Sequence, residues 1–579
     1  MLGAVAHRRL GCLGCLRSGA ARLSSSSKQE RQGFGSFHSD DIEELVRQPM
    51  IDPPAAVVAI EQQVLASLEQ IQRAGEGPFF GARARQLWAL DPEWTFLNHG
   101  AFGATPHPLL LSAQLWRLHC ERQPLRFFDR ELLPAVAYSL QRTAAFLHCS
   151  AQELFPLPNV TSGLNAVLGS VRLQRGEEAV CLSLGYGANK KMLADLCNRA
   201  GAHLRTVQLP LPLESEQQIL AALCETLQAS ASSVSASGSG GVRLVLLDAI
   251  TSNSALQLPV LQMAALARQL APNALVVIDA AHSLLAQDVR IYPEQPTGGC
   301  DGEQEGEQGG EQGGGQRGGQ AVPLSVSSVA HVWLTNGHKW LCAPKGCAFM
   351  WAHPDVAPHL RPAIVSHGFH PHPPTAPSSA PGIRWWHEQP AGSDSSGGGS
   401  GGRLLSGLAW DGCRDYAALL SAPMALRMWQ DWPADGAPGA IGDVVGDGGV
   451  GEGVGACRNY MRELLHQQAV PLLAEHWGLK GGATWDPAAD VAPRHMREGV
   501  PMALVPLPEF VAGRRTRSTA GAGTVTDADA FQLQEALFHD HALEVPVKCL
   551  EGRLYVRLSA HVYNTLDQYA KLAQTIRDL

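Results

Sequence analysis

Leu275-Val276-Val277-Ile278-Asp279-Ala280-Ala281-His282 is the stretch that decides how this chain is read. Four apolar residues follow one another without alternation, so both faces of the segment call for burial. A strand of that kind belongs in a parallel sheet covered by helices on both sides. The same pattern recurs in Ala179–Ser183, Val242–Leu247, His331–Leu334 and Cys347–Trp351, with helical stretches between them. From Phe96 to Phe369 the chain therefore reads as an α/β domain with a mostly parallel sheet. Asp279 closes its strand at the carboxyl end, the edge at which open α/β sheets bind ligands. An aspartate there either caps the next helix or takes part in a site.

A second stretch favours the site. In Thr335-Asn336-Gly337-His338-Lys339-Trp340 a lysine stands between two apolar runs, flanked by His338 and Trp340. Burial lowers a lysine's pKa and turns its amine into a nucleophile for carbonyl groups. Asp279 and Lys339 lie 60 positions apart, or 33 without the low-complexity segment Glu294–Gln320, about one helix and one strand. A lysine and an acid so placed suit pyridoxal 5'-phosphate, which needs an amine for its aldehyde and a carboxylate opposite its ring nitrogen. Asn159-Val160-Thr161-Ser162-Gly163 opens an amphipathic stretch, Leu164–Val171, and offers either a phosphate cup at a helix start or an ordinary helix cap. Tyr186 follows the Ala179–Ser183 strand and either lies on a cofactor ring or packs its loop. Near the end, Leu554, Val556 and Leu558 alternate with Tyr555, Arg557 and Ser559, the pattern of a half-buried strand. Arg557 is either a carboxylate-binding fork or a plain surface arginine.

Around this core the chain is padded. Gly 60 and Pro 38 make up about 17% of 579 residues, above the norm but short of the ~25–30% of a wholly low-complexity chain. The excess falls in four segments, Ala229–Gly241, Glu294–Gln320, Pro371–Gly402 and Pro433–Gly455, which read as solvated loops. An apolar fraction of 45% excludes a disordered, collagen-like or coiled-coil chain. A formal charge of −9 without a basic stripe argues against nucleic acid as a partner. No apolar run of about 18 residues predicts a membrane span. Thirteen scattered cysteines show no zinc spacing and read as reduced thiols, with no metal expected. Met1–Gln29 has no acidic residue, carries Arg8, Arg9, Arg17, Arg22 and Lys28, and ends in serines, the composition of an organelle transit peptide for mitochondrion or chloroplast; the alternative is a disordered tail on a cytoplasmic chain. An extension over 30–93 follows, with a helix expected from Pro54 to Arg73. After Asp411 the chain turns helical (Tyr416–Trp429, Arg458–Trp477). It then ends in strands (Met502–Pro506, Leu543–Val547, Arg553–Leu558) and a closing helix from Thr565. We expect a large domain over 94–410 and a smaller α+β domain over 411–579.

Taken together the motifs resemble the class V aminotransferase superfamily of pyridoxal-phosphate fold type I, and within it the isopenicillin-N-epimerase-like branch and the plant-type L-cysteine desulfhydrases. The resemblance rests on Leu97-Asn98-His99-Gly100-Ala101-Phe102-Gly103, Asn159–Ser162, Thr251-Ser252 before Pro259, Asp279–His282, Asn336–Trp340, Ser366-His367-Gly368, Trp410–Asp415, Glu544-Val545-Pro546-Val547 and Tyr555–Ser559 with Val562-Tyr563-Asn564, in family order. It implies a large domain with a mostly parallel seven-stranded sheet, a smaller C-terminal domain and a homodimer with sites at the interface. It implies that Lys339 carries the cofactor and shuttles the Cα proton, and that Asp279 holds the ring nitrogen. His282 and Ser252 would lie near the phenolic oxygen, with His338 beside the lysine. Thr161 and Ser162 would meet the phosphate and Tyr186 would stack on the ring. Arg557, with Asn98, would bind the substrate.

The chain departs from the family at Ala249, where a histidine is usual, and at Asp411-Gly412-Cys413, where a threonine usually reaches the neighbouring phosphate. An aspartate there would repel the phosphate. The persulfide-carrying loop of cysteine desulfurases is not found. The function implied is C–S lysis of L-cysteine to sulfide, pyruvate and ammonia. Epimerisation and transamination are the alternatives with the same first step, and an inactive scaffold is the alternative of another class.

Overall fold

The computed structural model describes residues 41–73, 77–232, 240–292, 324–369, 383–387, 404–433, 451–479, 491–508 and 525–579. Residues 1–29, where a transit peptide is expected, and the segment Glu294–Gln320 lie outside them.

The first strand is short, β1 (Thr95–Phe96). The large sheet is built from β2 (Leu154–Leu157), β3 (Glu177–Leu182), β4 (His203–Val207), β5 (Gly241–Asp248), β6 (Leu275–Asp279), β7 (Val332–Asn336) and β8 (Ala348–Ala352). Its order is β2-β8-β7-β6-β5-β3-β4. Strands β7, β6, β5, β3 and β4 run parallel, and β8 is antiparallel to both β7 and β2. The apolar runs did predict two-sided burial: every residue of β3, β6, β7 and β8 is buried. Helices Val160–Ser170, Gly187–Ala200 and Val260–Leu270 follow β2, β3 and β5, so the carboxyl edge of the sheet carries loop after loop of candidate site residues.

A second, three-stranded sheet joins β9 (Met502–Pro506), β11 (Val547–Leu550) and β12 (Arg553–Ser559) in the order β11-β12-β9, all antiparallel. Between them in sequence, β10 (Leu543–Glu544) pairs in parallel with β1, so the start of the α/β region is tied to the C-terminal strands. The closing helix Leu566–Asp578 starts at a capping box on Thr565 and Gln568. The expected early helix spans Ala55–Gln72 and buries Val57, Ile60, Val64 and Leu68. One apolar core surrounds the seven-stranded sheet and takes in side chains from Tyr416 to Trp432 and from Val454 to Met461; a second gathers Leu97, side chains from Leu464 to Trp477, most of the three-stranded sheet and the closing helix.

Three of the expected solvated loops are corrected where they fall on described residues. Ala229–Ser232 completes the helix Glu216–Ser232, where the Ser230 hydroxyl donates to the Thr226 carbonyl. Glu452–Gly455 begins the helix Glu452–Arg462, and Gly453 has no room for a Cβ, which would lie 2.6 Å from the Trp429 carbonyl oxygen. Within the Pro- and Ser-rich stretch, Trp385 is 1% exposed, bridges to Val171 and stacks on His359. One large apolar side chain suffices to fix such a segment. Residues 233–239, 371–382, 388–402 and 434–450 lie outside the described residues.

Candidate active site

Lys339 sits in the turn between β7 and β8. The loop 98–103 presses on this turn from behind. Gly103 has φ 70°, and a Cβ on it would fall 2.2 Å from the His338 carbonyl oxygen and 2.7 Å from that of Lys339. Only glycine allows that approach in that conformation. His99 is fully buried, bonds through Nε2 to the Lys339 carbonyl at 3.1 Å and meets the Tyr563 hydroxyl through Nδ1 at 2.8 Å. His561 stacks on His99 at 3.9 Å, and Cys342 lies within 3.6 Å of both rings. These three are the one group of convergent metal-ligand types among the described residues. His99 Nε2 donates its hydrogen to the Lys339 carbonyl, which leaves it no lone pair for a metal. The cluster is better described as the packing that fixes the lysine turn.

The lysine's own amine faces the sheet edge. Nζ lies 2.9 Å from His282 Nε2. Burial lowers the Lys339 pKa to about 8; Asp279 opposes that shift and Arg557 adds to it. His282 is buried and its pKa is driven well below the usual value by desolvation, then by the Lys339 and Arg557 charges. It is therefore a neutral imidazole, and its Nδ1 is buried without a partner.

Asp279 ends β6 as expected. Its Oδ2 accepts from Asn189 Nδ2 at 2.6 Å and its Oδ1 from the Ala281 amide at 3.0 Å. Asp248 ends β5 in register with Asp279. Desolvation, then the neighbouring Asp279 charge, raises its pKa to about 8, and its Oδ1 accepts the Tyr186 amide at 3.1 Å. Two carboxyls thus share one edge of the site, and burial beside Asp279 makes Asp248 hold its proton more firmly. Tyr186 leaves its side chain 44% exposed above them.

Asn159 caps the helix Val160–Ser170: its Oδ1 accepts from the Ser162 amide at 2.8 Å and the Ser162 hydroxyl at 3.1 Å. Gly163 lets this helix lie on the sheet, since a Cβ would strike Leu157 and Leu334 within 2.5 Å. Thr161 and Ser162 line a cavity of about 200 Å³ together with Leu408 and Asp411. The feared repulsion from Asp411 is offset, because Arg414 Nε donates to its carboxylate at 2.5 Å.

Arg557 corrects the sequence reading. The strand β12 is buried on both faces from Leu554 to Ser559, and Arg557 is 4% exposed. Alternation suggested a wet face, but that face closes on Asn98 and Ser252. Nη1 donates to the Ser252 carbonyl at 2.7 Å and Nη2 to Asn98 Oδ1 at 2.5 Å. Nε is buried with no partner. Asn98 Nδ2 in turn donates to Glu544 Oε1 at 2.8 Å, so the guanidinium faces a carboxylate through one amide. Burial brings the Arg557 pKa down to about 10, opposed by Glu544.

The structure thus brings Lys339, His282, Asp279, Arg557 and Asn98 together. Ser252 takes part through its carbonyl, and His338 bonds the Cys347 carbonyl through Nδ1 at 3.0 Å. From the sequence no site role was given to Asp248, Asn189, His99 or Glu544, although His99 and Glu544 stand within family motifs. Asp248 had a signal, since it closes an apolar run as Asp279 does; Asn189 had none.

No family model matches the chain. It is 24% identical over 509 residues to "Probable L-cysteine desulfhydrase, chloroplastic" from Arabidopsis thaliana, covering 84% of this chain and 83% of that protein. It is 25% identical over 501 residues to isopenicillin N epimerase from Amycolatopsis lactamdurans, covering 86% of this chain and 98% of the other. Among solved structures, the cystine C–S lyase C-DES in complex with cysteine persulfide matches with a TM-score of 0.52 and 14% identity over 84% of this chain and 98% of that one. A variant of the same lyase carries glycine linked to its PLP cofactor. The chain is thus a distant relative of L-cysteine desulfhydrases and isopenicillin N epimerases and has the α/β fold of pyridoxal-phosphate-dependent C–S lyases.

Proposed function

We propose that this chain is a pyridoxal-phosphate-dependent lyase that converts L-cysteine to sulfide, pyruvate and ammonia. The observation that carries the reading is a buried lysine amine, brought to about pKa 8, within reach of the charges of a strand-end aspartate and of a buried arginine whose Nε has no partner. The residues fit the cofactor. Lys339 offers the amine, Asp279 the acid for the ring nitrogen, and Thr161 and Ser162 hydroxyls for the phosphate. The orphaned Nδ1 of His282 is a polar atom still wanting a partner.

Bound there, pyridoxal phosphate supplies an electron sink for the charge left at Cα. Arg557 binds the substrate carboxylate through Nε and a terminal nitrogen, in an orientation fixed by Ser252 and Asn98. The Lys339 amine would take the Cα proton. The Cα–H electron pair forms the Cα–Cβ double bond, and the Cβ–S pair departs with sulfur. His282, neutral and 2.9 Å from the amine, orients Lys339 for this transfer. The 2-aminoacrylate released hydrolyses to pyruvate and ammonia. Epimerisation is the second reading, favoured by similarity that spans 98% of isopenicillin N epimerase. It would return the proton to the other face with no C–S cleavage.

We infer further that residues 1–29 direct the chain to an organelle, a plastid by analogy with the chloroplastic relative. We also infer that two copies pair at the site. Phe102 is 74% exposed beside the lysine turn, and Ile364, 56% exposed, lines the cavity with Thr161 and Ser162. The test of the cofactor assignment is spectroscopic. The purified protein should show the visible absorption of bound pyridoxal phosphate, and Lys339→Ala should lose it. A protein that stays colourless with added cofactor refutes the proposal.

A further inference from the structure

One cavity outside the residues discussed so far shares a wall with them. It measures about 290 Å³ and is lined by Leu90, Asp91, Trp94, Phe96, Phe538 and Glu544. Phe96 and Glu544 are partners in the parallel β1–β10 pair. Side chains two apart on an extended chain share a face, so Phe96 and Asn98 look the same way. Glu544 joins both places: it lines the cavity and accepts from Asn98, which accepts from Arg557. The cavity therefore begins about 7 Å along the chain from the group that orients the substrate carboxylate.

Its chemistry differs from what a thiol needs. Trp94 and Phe538 form an aromatic wall, their rings 4.3 Å apart and tilted by 52°. The two charged side chains of the lining, Asp91 and Glu544, are both acidic. Aromatic faces beside carboxylates attract a cation and disfavour an anion. We propose that this cavity is a subsite for the far end of the substrate side chain, and that it selects amino acids ending in an ammonium group. The inference rests on Arg557 holding an amino acid's carboxylate, as in the proposed function. It widens the substrate class from cysteine to S-substituted cysteines with an aminoalkyl tail. With S-(2-aminoethyl)-L-cysteine and one water, elimination would yield pyruvate, ammonia and 2-aminoethanethiol. The Cα proton and the Cβ–S bond are lost as with cysteine, and the tail's ammonium is unchanged.

The experiment separates this from the lyase reading. L-lysine and L-norleucine have no leaving group and differ in the terminal ammonium. Their affinities for the cofactor-loaded protein are measured by calorimetry. We expect L-lysine to bind about five- to tenfold more tightly, the range of a partly desolvated cation on aromatic rings. Trp94→Ala and Phe538→Ala should each shrink that ratio while leaving turnover of L-cysteine unchanged. If either variant is insoluble, Phe538→Leu serves, since it keeps the volume and removes the ring. A lysine-to-norleucine ratio of one or less in the unaltered protein overturns the subsite. A preserved ratio with no sulfide from cysteine supports the subsite and refutes the lyase reading. Sulfide from cysteine with no preference for the amine tail does the reverse.

Discussion

Replacing Arg557 with alanine should weaken the hold on any amino-acid substrate about a hundredfold. Two of its nitrogens already donate within the protein, at 2.7 Å to Ser252 and 2.5 Å to Asn98, so the fork is held before substrate arrives. The substrate carboxylate gains Nε and a second terminal hydrogen. A hydrogen bond to a charged group contributes about 1.5–3 kcal/mol, so losing both, with some rescue by water, costs about 3 kcal/mol, or roughly two powers of ten in kcat/KM. Arg557→Lys keeps the charge without the fork and should recover part of the loss. A second readout belongs to this geometry alone. The Arg557 charge helps to hold Lys339 at about pKa 8. Removing a cation makes the protonated amine less unfavourable, so the Lys339 pKa must rise. Capture of pyridoxal phosphate by cofactor-free protein needs the neutral amine; its rate should climb through about pH 8 in the unaltered chain and at higher pH in Arg557→Ala. A KM change below threefold together with an unmoved capture profile would refute the placement of Arg557 in the site.

Gly103→Ala should lose the bound cofactor's absorption and much soluble protein, because its Cβ would overlap the His338 and Lys339 carbonyls; a normal spectrum would contradict the packing described. Trp385→Ala should cost about 3–5 kcal/mol in urea denaturation, as expected for a buried aromatic, whereas a solvated loop would show almost no change. The chain should lose stability on mild acidification. His99 and His331 are held at about pKa 3 by burial, while in the unfolded chain each binds a proton below about 6.5. Folded pKa values below unfolded ones mean that the unfolded state binds more protons, so stability is full above pH 6.5 and falls as pH drops toward 3. Each of the two should cost about 1 kcal/mol at pH 5.5, read as a falling melting temperature; a flat profile from pH 7 to 5 would oppose it.

Much of the fold was legible because burial on both faces leaves unbroken apolar runs. Each of the five strands read in the large sheet from such a run matches to within one or two residues. The cleft was legible at Asp279 and Lys339, because a charged residue directly after a buried strand is unusual enough to stand out. The strand that carries Arg557 was legible, and the burial of its side chain was not. A two-residue alternation cannot tell a face in water from a face closed over by Asn98 and Ser252, which come from distant positions in the sequence. Trp385 was hidden by its neighbours, since composition averages a stretch whose structure depends on one side chain. Asn189 gave no pattern at all, and Glu544 stood only within a family motif with no role attached to it. Their roles arise from contacts across 90 and 446 positions, and only the folded chain brings those partners together.

The most direct test is a product balance. Cofactor-loaded protein is incubated with L-cysteine, and sulfide, pyruvate, ammonia and alanine are measured in the same sample. Sulfide, pyruvate and ammonia are expected in equal amounts, all abolished in Lys339→Ala. Persulfide with alanine, or loss of a Cα deuterium label without sulfide, would contradict the lyase reading.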